Sequence, residues 1–281
     1  MSSTLTKLQT KPLSPAIGAE ILGVNLGDPN LSQDVIDAIE REWYASSVLL
    51  FRNQDLSEDA QIAFAQRFGE LKGGGKRSDG VIKRPGLSLV TNIKENGRQI
   101  GILPDGEMQF HSDQCYYEKP SIGTILYAIQ VPSKGGNTCF GNMYKAYDTL
   151  PADIKAKLEG RRALNIFDYD NDQTIRGQGT AKGPTWVHPV VRVHPQSGRK
   201  ALFVNRLMTS HILDMPAEES EALLNLLFDH LEQPQFVYSH PWRVGDMLMW
   251  DNRCTVHART DFDPNETRLM RRVTMKPEAV A

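Results

Sequence analysis

Trp250–Thr274 reads WDNRCTVHARTDFDPNETRLMRRVT, and far upstream Gln109–Cys115 reads QFHSDQC. Between them the two stretches offer His111, Asp113 and His257, two imidazoles and one carboxylate. That donor set holds non-haem Fe(II) on one face and leaves the opposite positions open. A His-x-Asp tripeptide is weak evidence by itself. In a chain with 7 histidines and 34 acidic residues, such a pair is more often a hydrogen-bonded loop pair than a metal site. Alternate residues of a strand point to one side, so one short strand is expected to present His111 and Asp113 inward, with Ser112 facing away.

The chain has 281 residues, a length that one large β barrel commonly reaches undivided. We read residues 1–281 as a single domain, with loops at about 72–110 and 165–186 as a lid or insertion. A net charge of -2 and a pI near 6.4 exclude a general nucleic-acid surface, which needs clustered Lys and Arg in excess. No apolar run is long enough to span a bilayer, and Met1 to Pro15 lacks the apolar core of a signal peptide, so a cytoplasmic protein without membrane contact is expected. Cys115, Cys139 and Cys254 form neither a CxxC pair nor an even disulfide framework and read as packed thiols in a reducing compartment.

Short strand signals dominate the pattern. Ser14 to Leu26 reads as two extended pieces broken at Gly18 and Gly23, and Ser47 to Phe51 as a buried strand. Ser32 caps a helix with Val35, Ile36, Ile39 and Trp43 at helical spacing; a second helix follows Ser57, with Gln61 near capping-box spacing. Gly73-Gly74-Gly75 with Lys76 and Arg77 lacks phosphate-loop spacing and reads as loop, positioned to cover a site. Ile122 to Val131 and Asn137 to Phe140 read as a hairpin, and Met143 to Gly160 as a helical stretch split at Leu150-Pro151. Asp168 to Thr185 reads as an extended loop, Val187 to Val193 and Lys200 to Val204 as paired strands, and Ala217 to Glu232 as an amphipathic helix. Gly245 to Trp250 and Leu269 to Met275 close the chain as strands. The fold class is therefore mainly β with α, a double-stranded β-helix (jelly-roll) core flanked by helices, with a ligand at the open mouth.

The segments IGAEILGVNL, SVLLFRNQDL, FAQRFGEL and GGNT, together with the C-terminal stretch, resemble the taurine dioxygenase family of Fe(II)/2-oxoglutarate oxygenases, which includes the phenoxyacetate herbicide dioxygenases. The likeness covers nearly the whole chain. It implies that His111, Asp113 and His257 bind iron and that Thr138 and Arg268 hold the far carboxylate of 2-oxoglutarate. Arg272 then faces the co-substrate and primary-substrate region. O2 is the other co-substrate, and succinate and CO2 leave as a small substrate is hydroxylated. The residue types suit these roles, because a guanidinium offers a carboxylate a bidentate fork where Lys offers a point charge. Related halogenases replace the carboxylate ligand with a small residue; Asp113 keeps it, which favours hydroxylation. The resemblance also implies a homodimer or homotetramer.

Arg271 and Arg272 alternate, so only one faces inward, and the family resemblance implies that it is Arg272; an anionic substrate group (carboxylate, sulfonate, sulfate or phosphonate) is expected there. Phe110, Tyr116 and Tyr117 flank the iron ligands and are candidates for the pocket wall. Asn92 to Met108 does not reproduce the substrate-binding His, Tyr and Asn pattern of the taurine enzymes, and Asp105 and Glu107 read as solvated loop carboxylates. His188, His194, His211, His230 and His240 have no acidic neighbour in the pattern and read as structural. Three alternatives stay open at this point. They are desaturation or isonitrile formation at the same iron centre on an amino-acid-derived substrate, a non-enzymatic metal-holding barrel, and a zinc hydrolase, which would not need Thr138 and Arg268.

Overall fold

The computed structural model describes residues 7–71, 86–103, 106–167 and 183–275. Two facing sheets form the core. The larger runs Gln9–Pro12, Ala19–Leu22, Val48–Phe51, Met247–Asp251, Gly123–Gln130, Leu269–Thr274, Leu87–Thr91. The smaller runs Val237–His240, Thr138–Asn142, Thr255–Arg259, Met108–His111. Neighbours are antiparallel except Ala19–Leu22 with Val48–Phe51, giving the jelly-roll core.

Two-sided burial explains the apolar runs. In Val48–Phe51 all four residues are buried. Val48 and Leu50 face the smaller sheet with Leu126, Leu248, Trp250 and Phe140. Leu49 and Phe51 face the helices, against Ile39, Trp43 and Phe64. A strand covered on both faces reads as continuous apolar sequence rather than as alternation. The same alternation sorts the arginines of Leu269–Thr274: Met270 lies in the core between the sheets, and Val273 lies under the helices. Arg271 shares the helix side, donating to Leu56 O and lying 4.8 Å from the Tyr127 ring centroid. Arg272 is left on the inner side.

The helices Gln33–Ser46 and Glu58–Gln66 cover the larger sheet, and their caps are Ser32 and Ser57, which accept from Val35 N and Ala60 N. Gln61 does not complete a capping box; it is fully buried and donates to Arg271 O at 3.1 Å. Met143–Asp148, Ala152–Leu158 and Ala217–Leu231 pack outside the smaller sheet, where Leu224, Leu227 and Phe228 share a core with Val256. Covering the barrel thus accounts for the apolar face of Ala217–Leu231. Val191–Val193 pairs with Lys200–Leu202 as expected.

Two expectations need correction. Gly123–Gln130 and Thr138–Asn142 are not a hairpin but belong to different sheets, and the chain between them crosses the barrel edge through Gly135 and Gly136, both at positive φ. The strand carrying His111 ends there, and Asp113 lies in the following turn. Gly73 to Arg77, Asp105 and most of the Asp168 to Thr185 loop lie outside the described residues. No helix among the described residues is long and apolar enough to cross a membrane.

Candidate active site

One end of the barrel opens into a cavity of about 460 Å³, and His111, Asp113, His257, Thr138, Arg268 and Arg272 all line it. One donor atom each from His111, Asp113 and His257 lies within 4.8 Å of the others. The smaller sheet sets the imidazoles side by side: His257 is in register with His111, and their ring centroids are 4.1 Å apart. Arg259 pairs with Met108 on the same two strands, so the Met108–His111 strand carries one extra residue. That bulge turns both Met108 and His111 to the cavity, where simple alternation would have turned Gln109.

Each of the three side chains is oriented by its surroundings. His111 Nδ1 lies 2.9 Å from Gln109 O, which marks Nδ1 as the protonated nitrogen and leaves the Nε2 lone pair able to ligate a metal. The His257 ring is held by packing, 4.8 Å from the Trp250 ring and 6.4 Å from Phe140. Asp113 ends a directed polar chain. Trp250 Nε1 donates to Asn252 Oδ1 at 2.9 Å, Asn252 Nδ2 to Thr124 Oγ1 at 3.1 Å, and Thr124 Oγ1 to Asp113 Oδ2 at 2.6 Å. One carboxylate oxygen is thereby occupied, and Oδ1 lies 3.9 Å from His257 Nε2.

Electrostatics favour the deprotonated form of all three groups, the form a metal requires. Burial pushes the His257 imidazolium down, helped by the neighbouring His111, to about 3; burial lowers His111 as well. Burial alone would raise the Asp113 carboxyl, but His257, Arg272, His111 and the Thr124 hydroxyl outweigh it and hold it at about 2. Thr124→Val should therefore weaken Co(II) binding about 10- to 100-fold, the usual effect of losing an outer-shell partner. Thr124→Ser should restore it. Metal titration of the purified protein checks both; equal affinities would remove Thr124 from the site.

Deeper in the cavity Arg268 is 1% exposed, yet among the described residues no acid pairs with it. Its Nε donates to Gly136 O at 3.3 Å, while Nη1 has no partner. Burial and the nearby Arg259 charge pull its pKa down to about 9. Thr138 is similarly prepared: its Oγ1 accepts from Trp242 Nε1 at 3.0 Å, so its own proton is free to be donated. A buried cation and a hydroxyl donor without an anion between them fit a carboxylate, and the triad fits Fe(II).

The flanking aromatics divide. Tyr116 lines the cavity, 4.7 Å from the Phe167 ring. Phe110 faces the opposite side and packs into the helix-covered core, and Tyr117 points outward at 40% exposure, so neither lines the cavity. His194 and His240 do have acidic partners, Asp251 Oδ2 and Asp246 Oδ2, each at 3.0 Å, but both pairs are buried structural contacts. Cys115 and Cys254 are buried thiols, whereas Cys139 is half-exposed beside Ser239. Glu107 is exposed, as expected of a loop carboxylate. Trp250 and Asn252 stood in the diagnostic C-terminal stretch; Thr124, Trp242 and Phe167 carried no signal of their own.

Residues 9–274 match the model of the taurine catabolism dioxygenase TauD, TfdA family. The chain belongs to that family. An alpha-ketoglutarate-dependent 2,4-dichlorophenoxyacetate dioxygenase from Cupriavidus pinatubonensis is 37% identical over 96% of this chain and 98% of its own. A taurine dioxygenase from Burkholderia xenovorans superposes with a TM-score of 0.82 at 30% identity, covering 98% of this chain and 93% of that one. AAD-2 in complex with Mn(II) and N-oxalylglycine superposes at 0.80 and 29% identity, covering 98% and 100%. This family member is an Fe(II)- and 2-oxoglutarate-dependent dioxygenase acting on a small molecule. The readings as a zinc hydrolase or a non-catalytic barrel fall away.

Proposed function

We propose that His111, Asp113 and His257 bind Fe(II), that Thr138 and Arg268 hold the distal carboxylate of 2-oxoglutarate, and that Arg272 meets an anionic group on a substrate that becomes hydroxylated. The observation that carries this reading is Arg268, a buried guanidinium with no acidic partner among the described residues, in the same cavity as the triad. When bound, the iron supplies activation of O2 coupled to oxidative decarboxylation of 2-oxoglutarate. The protein's part is placement. The Arg268 fork and the Thr138 hydroxyl fix one end of the co-substrate, Arg272 anchors the substrate, and apolar walls including Leu126, Met208 and Phe167 exclude water. Retention of Asp113 as a ligand supports hydroxylation.

The chain is further read as one domain with the stretches at about 72–110 and 165–186 as a lid or insertion, working in the cytoplasm as a homodimer or homotetramer. Free thiols at Cys115, Cys139 and Cys254 support the reducing compartment.

Succinate release tests the proposal, with Fe(II), ascorbate, O2 and a panel of carboxylates, sulfonates, sulfate esters and phosphonates, and His111→Ala as blank. One anion class should stimulate release in wild type and not in the blank. Stimulation by the uncharged methyl esters of these acids, run alongside, and not by the anions themselves would remove Arg272 from substrate recognition.

A further inference from the structure

The cavity wall carries a polar side chain that the roles assigned above leave unused. Gln99 ends the short hairpin Lys94–Glu95/Arg98–Gln99 and lines the cavity. The loop after it lies against the edge strand Leu87–Thr91: Ile102 N donates to Leu89 O at 3.0 Å, and a side chain at Gly101 would meet that oxygen at 2.5 Å. Gln99 pins this arrangement, its Nε2 donating to Thr91 O at 2.8 Å and Leu103 O at 2.9 Å. Two carbonyls facing one end of the amide decide which end is nitrogen, because the flipped orientation would set Oε1 against two acceptors.

Both amide protons are therefore committed to backbone carbonyls, one on the edge strand and one on the loop. Oε1 has no hydrogen-bond partner among the described residues and is not sealed off as a buried orphan. Among the other side chains that line the same cavity, Val90, Ile102, Leu103 and Met108 are apolar. We infer that Gln99 determines specificity: the primary substrate carries, on its apolar body, an N–H or O–H donor that bonds Gln99 Oε1, in addition to the anion met by Arg272. The staple serves this role, since an amide held by two carbonyls presents its oxygen in a fixed direction and loses little freedom on binding. An analogue without the donor would strip water from Oε1 and return nothing. The inference rests on the proposed assignment of Arg272 to the substrate anion.

Calorimetry on the protein loaded with Mn(II) and N-oxalylglycine tests it without turnover. The probes are two size-matched pairs: para-hydroxyphenylacetate with para-methylphenylacetate, and indoleacetate with benzothiopheneacetate. In wild type the donor-bearing member of at least one pair should bind about tenfold more tightly than its mate, and in Gln99→Met that gap should close. Equal binding within both pairs in wild type, or a gap that survives in Gln99→Met, overturns the inference. The wild-type ratio decides alone if loosening the loop abolishes binding in the variant. If N-oxalylglycine binds but none of the four acids does, the assignment of Arg272 to an anion fails, and this inference fails with it.

Discussion

Asp113→Asn should leave a folded protein that takes up Fe(II) so poorly that succinate release falls at least about 10³-fold, beyond the 10- to 100-fold typical of an outer-shell change. Asparagine has the same shape, so size is not the reason. The Thr124 hydroxyl receives the Asn252 Nδ2–H and is thereby committed to donating toward residue 113. It would draw the asparagine oxygen to itself and turn the amide N–H2, which has no lone pair to offer, toward His257. The variant loses the site's negative charge and also its third donor atom. The same electrostatics should flatten the pH response of wild type. With His257 near 3, Asp113 near 2 and burial holding His111 below its ordinary range, little proton release need accompany metal entry at neutral pH. Co(II) affinity should fall less between about pH 8 and about pH 5 than at a site of ordinary histidines, which lose it as pH falls through about 6.5. Co(II) titration of both proteins across that range checks the pair of expectations; equal uptake by Asp113→Asn would exclude Asp113 as a ligand.

How much of this was legible before the fold was known depended on the kind of signal each residue carried. Val48–Phe51, the serine-capped helices and the alternation that separates Arg271 from Arg272 are local regularities, and local sequence specifies them. The hairpin expected across Gly135 and Gly136 failed because a turn of that composition closes a hairpin or a crossover between sheets equally well. Only packing of both sheets against Phe140 and Trp250 selects the crossover. Phe110 and Tyr117 were drawn toward the site by adjacency along the chain, but the strand's alternation turns Phe110 away and the turn after Asp113 sends Tyr117 outward. Thr124 and Trp242 reach the site from distant segments through single hydrogen bonds, and a single hydroxyl or indole has no pattern to betray it.

Arg268→Met should raise the KM for 2-oxoglutarate about 100-fold or more, the scale of removing one partner from a buried charge pair, and should at the same time make the metal-free protein more stable. The two effects share a cause. Arg268 is almost completely buried, its Nη1 lacks a partner, and burial together with Arg259 pulls its pKa down to about 9, so at neutral pH the folded protein holds a charge it would rather expose. Methionine fills much of the same space without that penalty. With the co-substrate carboxylate seated on Arg268 as proposed, that penalty is relieved, so adding N-oxalylglycine to the Mn(II)-loaded protein should raise the melting temperature of wild type further and that of Arg268→Met hardly at all. Arg268→Lys should not rescue binding, because an ammonium cannot reproduce the fork and retains the buried charge. Thermal unfolding of the three proteins without metal, with Mn(II), and with Mn(II) plus N-oxalylglycine reads both effects. A variant that melts lower than wild type without ligand, yet responds to N-oxalylglycine as wild type does, would show that Arg268 is a structural cation with no part in holding the co-substrate.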